Sequence, residues 1–144
     1  MTHEDADHYA AKHPKGTTCD SQIAEALKQV ISGGQITCAA AHNIAKQLKI
    51  SPAVVGMNMD LLEIRLKKCQ LGLFGYGKQK KAVKPLKNIP SELNRAIRES
   101  MTDGRISCKK CWEAAQRTGR SKMDVSGTCD TQNIKISPCQ LGAF

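Results

Sequence analysis

Apolar residues recur at helical spacing near the start of the chain, as Ile23, Ala26, Leu27, Val30 and Ile31. They follow Asp20 and Ser21, either of which can cap a helix. Gly33-Gly34 stops that helix, and Gln35-Ile36-Thr37-Cys38 reads as a short strand. A second helix is expected from about Ala39 to Leu48, with Ala41, Ile44, Ala45 and Leu48 on one face. Ile50-Ser51-Pro52 breaks it. Ser51 can cap a third helix and Pro52 suits its first position, and that helix runs to about Leu62. Two alternating segments then follow, Glu63-Ile64-Arg65-Leu66 and Cys69-Gln70-Leu71, separated by two residues. That spacing reads as a β-hairpin, with Leu66 opposite Cys69 and Ile64 opposite Leu71.

The same pattern occurs a second time. Ser21–Phe74 and Ser91–Phe144 align without a gap at an offset of 70, with 15 identities in 54 positions. Among them are Gly34/Gly104, Ile36/Ile106, Cys38/Cys108, Ala45/Ala115, Val55/Val125 and Asp60/Asp130. The match closes on Cys69-Gln70-Leu71-Gly72 with Phe74, repeated as Cys139-Gln140-Leu141-Gly142 with Phe144. The second hairpin would pair Ile134 and Ile136 with Cys139 and Leu141 across Ser137-Pro138. The chain has 144 residues, which suits two small folding units of roughly 55 residues each.

Charge separates these repeats from what lies around them. The formal net charge is +9. Residues 1–18 sum to −1, 19–74 to +2, 75–89 to +5 and 90–144 to +3. The expected organisation is therefore a flexible N-terminal arm (1–18), repeat one (19–74), a basic linker (75–89) and repeat two (90–144). The linker has Gly, Pro and little periodicity, so it is read as extended and solvated. There is no apolar run of about 18 residues, so no membrane span is expected. The first 15 residues carry acids and histidines in place of an apolar leader, which points to a soluble, cytoplasmic protein.

Helix, strand, helix, helix, hairpin is the element order of a winged helix. The stretch from Ile44-Ala45 to Val55 resembles a helix-turn-helix, with small Ala45 where two helices approach. Repeat two has Ala115, Gly119 and Val125 in register, with Gly119 at a turn position that favours a left-handed backbone; Lys49 stands there in repeat one. Cys69-Gln70-Leu71-Gly72-Leu73-Phe74-Gly75-Tyr76-Gly77 resembles the wing strand of prokaryotic proteins of this class. The chain thus resembles a tandem winged helix-turn-helix protein, with an α+β, mainly α fold.

The resemblance implies binding to double-stranded DNA, with the third helix of each unit in the major groove and the hairpin on the backbone. Wing residues Arg65, Lys67 and Lys68 and linker residues Lys78, Lys80, Lys81 and Lys84 are candidates for phosphate contact. The third helix of repeat one has no Arg or Lys, and only Ser51 and Asn58 offer polar reach to bases. Repeat two is better supplied, with Arg117, Arg120 and Lys122. Winged helices also serve as protein-interaction modules, so a protein partner is the alternative, with the lysines as a solvated linker.

Seven cysteines without a secretory leader point to reduced thiols, not a disulfide framework. Cys108, Cys111, Cys129 and Cys139 form a set that suits Zn²⁺ or an iron–sulfur cluster, the metal-sensing alternative. Their counterparts Cys38, Ala41, Met59 and Cys69 favour core packing, and no cofactor is the primary expectation. Cys19, which has no counterpart, is the expected exposed thiol. His3, His8 and His13 fall five apart and share no helix face. No phosphate loop, dinucleotide fingerprint, nucleophile elbow or zinc-protease motif is present, and the chain is not expected to be an enzyme.

Overall fold

The computed structural model describes residues 7–144. The fold is α+β and mainly helical: six α-helices and four short strands in two small sheets. No helix among the described residues is long and apolar enough to cross a membrane. The chain divides into two compact units. One takes the residues up to Cys69 together with Gln140–Ala143; the other takes Gln70–Cys139 with Phe144. The closing Cys-Gln-Leu-Gly sequence of each repeat thus lies largely in the unit built on the other repeat.

In the first unit α1 (Ser21–Val30) starts at Asp20, whose carboxylate accepts the Ile23 N–H at 3.0 Å. The helix buries Ile23 and Leu27 and ends at Ile31, which is extended. Gly33 and Gly34, both at positive φ, make the tight turn that leads into β1 (Gln35–Thr37). Thr37 caps α2 (Cys38–Leu48), and Lys49 takes the left-handed position after it, at φ 55°. Ser51 caps α3 (Pro52–Leu61), with Pro52 opening the helix as expected. β2 (Arg65–Lys67) then lies parallel to β1, with Ile36 opposite Leu66.

The second unit repeats the plan. α4 (Ser91–Ser100) is followed by the turn at Asp103-Gly104 and by β3 (Arg105–Ile106). α5 (Cys108–Thr118) is capped by Ser107 and ends at Gly119, left-handed at φ 67°. α6 (Lys122–Thr131) is capped by Ser121, and β4 (Lys135–Ile136) pairs in parallel with β3.

The expected β-hairpins do not form. Arg65–Lys67 and Lys135–Ile136 pair with the earlier strand of their own repeat, in parallel, through the crossover made by two helices. Alternation of apolar residues shows that one strand face is buried, but not which strand supplies the hydrogen bonds. Leu66 and Ile64 are buried as expected, at 2% and 4% exposure. Cys69 is not opposite Leu66: the chain turns at Lys68, at φ 51°, and leaves the sheet. Leu71 and Leu141, at 0% and 1% exposure, find their burial against third helices instead.

Candidate nucleic-acid interface

The middle of each third helix is buried all round, and this decides what it can do. In α3, Val55, Gly56, Asn58, Met59 and Asp60 are all buried; in α6, Val125–Cys129 are. A helix whose middle is covered on every side is a core helix, not one laid on a surface. Each is wrapped by two further segments of chain.

The first segment is the Cys-Gln-Leu-Gly sequence. In the first unit it crosses α3 at Gly56, where an added Cβ would lie 1.8 Å from the Leu141 carbonyl oxygen. In the second unit the equivalent position is Ser126, whose hydroxyl donates to the Leu71 carbonyl at 2.6 Å. A small residue at this place lets the backbone come close in both.

The second segment precedes each repeat. In the first unit it is the described part of the N-terminal arm, residues 7–18, while His3 lies outside the described residues. Tyr9 is buried at 2% exposure, and the Tyr9 and Ala10 N–H groups donate to the Glu63 carboxylate at 3.0 and 2.9 Å. His13 Nε2 lies 2.8 Å and Lys12 Nζ 3.2 Å from Asp60 Oδ2, at the buried end of α3. In the second unit the segment is the basic linker, which is anchored along α6 rather than free in solvent. The Ala82 and Val83 N–H groups donate to Gly72 O, and the Leu86 N–H to Gly127 O. Thr131 Oγ1 donates to Leu86 O at 2.9 Å, and Val83 is buried. A Cβ at Gly127 would meet the Lys84 carbonyl at 2.6 Å, so this strap also needs a small helix residue beneath it.

The strap turns its apolar residues inward and its charges outward. Lys78, Lys80, Lys81, Lys84 and Lys87 are all exposed. Lys81 approaches Asp130 at 4.0 Å, and the other four have no acidic partner among the described residues. The same unit carries Arg117, Arg120 and Lys122 around the start of α6. Arg117 is exposed and pairs with Glu99 at 3.4 Å. Arg120 is exposed, and the Lys122 ammonium sits 4.1 Å from the centroid of the Trp112 ring. Arg65, Lys67 and Lys68 belong to the first unit, the first two half-buried on β2 and the third exposed.

Asn58 does not belong with these. It is 1% exposed, its Oδ1 accepts the Asp20 N–H at 2.7 Å, and its Nδ2 donates to Val54 O at 2.8 Å. Its side chain ties α1 to α3 and is spent on the fold. The Ser51 hydroxyl accepts the Val54 N–H as a helix cap while remaining at the surface. The strap itself is the feature that sequence reasoning missed. Its signal was present in Val83 and Leu86, two apolar residues spaced among lysines.

The four-cysteine set does not assemble: among the described residues no three His, Cys, Asp or Glu side chains come together as metal ligands. Cys108, Cys111 and Cys129 are buried and Cys139 is half-buried. Cys111 and Cys129 interact across α5 and α6. The hydrogen bond from Cys111 holds the Cys129 thiol below the ordinary thiol range, against the effect of burial and with help from Arg98. Cys19 is half-buried, and burial together with Asp20 pushes its thiol up. In a native thiol titration with a disulfide dye, Cys19 and Cys139 should react, Cys19 slowly at neutral pH, and all seven cysteines only after unfolding. Four or more fast thiols in the native protein would contradict this packing.

No family model, no curated protein and no solved structure matches the chain.

Proposed function

We propose that this chain is a DNA-binding protein of the transcription-regulator kind, built on two helix-turn-helix-like units, and not an enzyme. The observation that carries the reading is the strap: an anchored segment that presents five lysines outward, with one weak acidic partner among them. A flexible linker kept extended by self-repulsion would not need its backbone tied to Gly72, Gly127 and Thr131. Fixing the backbone that carries these lysines favours a fixed polyanion, because less freedom is lost on binding. Arg120 and Lys122, at the start of α6, add phosphate contacts in the same unit, and Arg65, Lys67 and Lys68 are the corresponding candidates on the first unit. Since the middle of each third helix is buried, base contacts are confined to its first turn, near Ser51 and Ser121. Affinity therefore comes mainly from the backbone. Seven cysteines kept as thiols suit a reducing compartment, in accord with a cytoplasmic protein.

The test is fluorescence anisotropy against a mixed-sequence duplex over a salt series. Four or five strap contacts should give a log–log slope of about −4, or roughly a few hundredfold loss of affinity between 50 and 200 mM salt. Replacing Lys80 and Lys81 with Ala should reduce the slope by about 2 and weaken all duplex sequences alike. An unchanged slope in that variant would remove the strap from the interface. Absence of binding at low salt would leave the protein-interaction reading in its place.

A further inference from the structure

A shallow groove in the second unit lies between the end of β4 and the aromatic residues that close the two repeats. It has a volume of about 350 Å³ and is lined by Leu73, Phe74, Lys135, Ile136, Ser137 and Phe144. We propose that this groove takes an unpaired nucleobase, so that the protein binds single-stranded DNA as well as duplex. The proposal rests on the phosphate-binding reading and names a second form of the same partner.

Both phenylalanines of the chain are in this groove. Their ring centroids are 6.0 Å apart and their planes stand at 88°. In an edge-to-face pair the ring that offers its edge keeps both faces clear of its partner, which leaves a flat π-surface for a third ring. Phe144 is 37% exposed and Phe74 is partly exposed. The pair is also held in place. The Cys139 N–H donates to a main-chain oxygen of Phe144 at 2.8 Å, and the Ser137 N–H to the Ile106 carbonyl at 2.9 Å.

Charge selects the occupant. The groove has no acidic residue in its lining, and Lys135 stands at its edge. The chain runs on from Phe74 through Tyr76 to Lys78, Lys80 and Lys81. Four residues span at most about 14 Å, so Lys78 is anchored within one or two nucleotide steps of the rings. An aromatic platform with cations beside it matches a base joined to its phosphates. This is how single strands are held without sequence preference. An apolar peptide would use the rings and leave the lysines without a counterpart.

The experiment compares an oligothymidine of about 12 nucleotides with a duplex of equal length, by anisotropy at one low salt concentration. The proteins are the parent, the Phe74→Leu/Phe144→Leu double variant, the single Phe144→Leu variant and the Lys80→Ala/Lys81→Ala variant. Leucine keeps the groove apolar and removes the π-face; circular dichroism checks folding, and Phe144→Leu, at a more exposed position, is the fallback if the double variant unfolds. The double variant should bind the oligothymidine about 5- to 100-fold more weakly. Its duplex affinity should stay within about twofold, and an abasic strand should not distinguish it from the parent. The lysine variant should weaken both DNA forms. Equal oligothymidine binding by the parent and the leucine variants overturns the groove as a base site while leaving the strap intact. Failure of the parent to bind either form overturns both readings.

Discussion

Gly56→Ala should destabilise the first unit by about 2–4 kcal/mol, although alanine is the better helix former by about 1 kcal/mol. The new Cβ would fall 1.8 Å from the Leu141 carbonyl oxygen and 2.6 Å from its carbon, both of them backbone atoms with no rotamer to move. The Gln140–Ala143 segment must then lift away from α3. Leu141, now at 1% exposure, would lose burial worth about 1.5–3 kcal/mol. Ser126 is the internal comparison. It holds the equivalent place on α6, with its hydroxyl on the Leu71 carbonyl, so Ser126→Ala should cost only about 1 kcal/mol for that hydrogen bond. Urea unfolding followed by far-ultraviolet circular dichroism measures both. A Gly56→Ala variant as stable as the parent, or more so, would show that helix propensity wins and that the segment is not seated on Gly56.

Asp60 and Asp130 are the same residue of the repeat in two environments, and their removal should have unequal effects. The Asp60 side chain is 2% exposed and faces both Lys12 and His13, whereas that of Asp130 is 33% exposed and has Lys81 at 4.0 Å. Breaking a buried pair by removing one partner costs about 3–5 kcal/mol, while an exposed pair contributes about 0–1 kcal/mol. Lys12 and His13 are themselves about a quarter exposed and can rehydrate, which places Asp60→Ala near the low end, about 3 kcal/mol. Asp130→Ala should cost less than about 1 kcal/mol. The Asp60 variant should also release the arm, seen as faster tryptic cleavage at Lys12 and Lys15. Equal urea midpoints for the two variants would mean that the arm is not held by Asp60.

The local elements were legible because their signals are local. Asp20, Ser51 and Pro52 mark helix starts in the sequence and do so in the structure. Gly119 adopts the left-handed turn that its position called for, and Lys49 does the same in the other repeat. The pairing of the strands was not legible. Ile36, Ile64 and Leu66 all read as buried, and they are, but a period of two is the same for a parallel and an antiparallel neighbour. Asn58 illustrates the limit for the candidate site. As a polar residue on an apolar helix it read as a base contact, yet the Asp20 N–H and the Val54 carbonyl occupy it.

The sequence by itself determined the duplication, the six helices with the caps at Asp20 and Ser51, and the concentration of positive charge at residues 75–89. Each of these depends on residues close together in the chain, or on simple counting. Only the tertiary structure decided that Leu71 and Leu141 leave their own strands, that Gly56 and Ser126 make room for them, and that the lysine-rich segment is tied down along α6. Those outcomes depend on which distant backbone fills the space beside a helix whose middle must be covered on every side. Burial can be met by any segment of suitable shape, so the apolar pattern requires a partner without naming it.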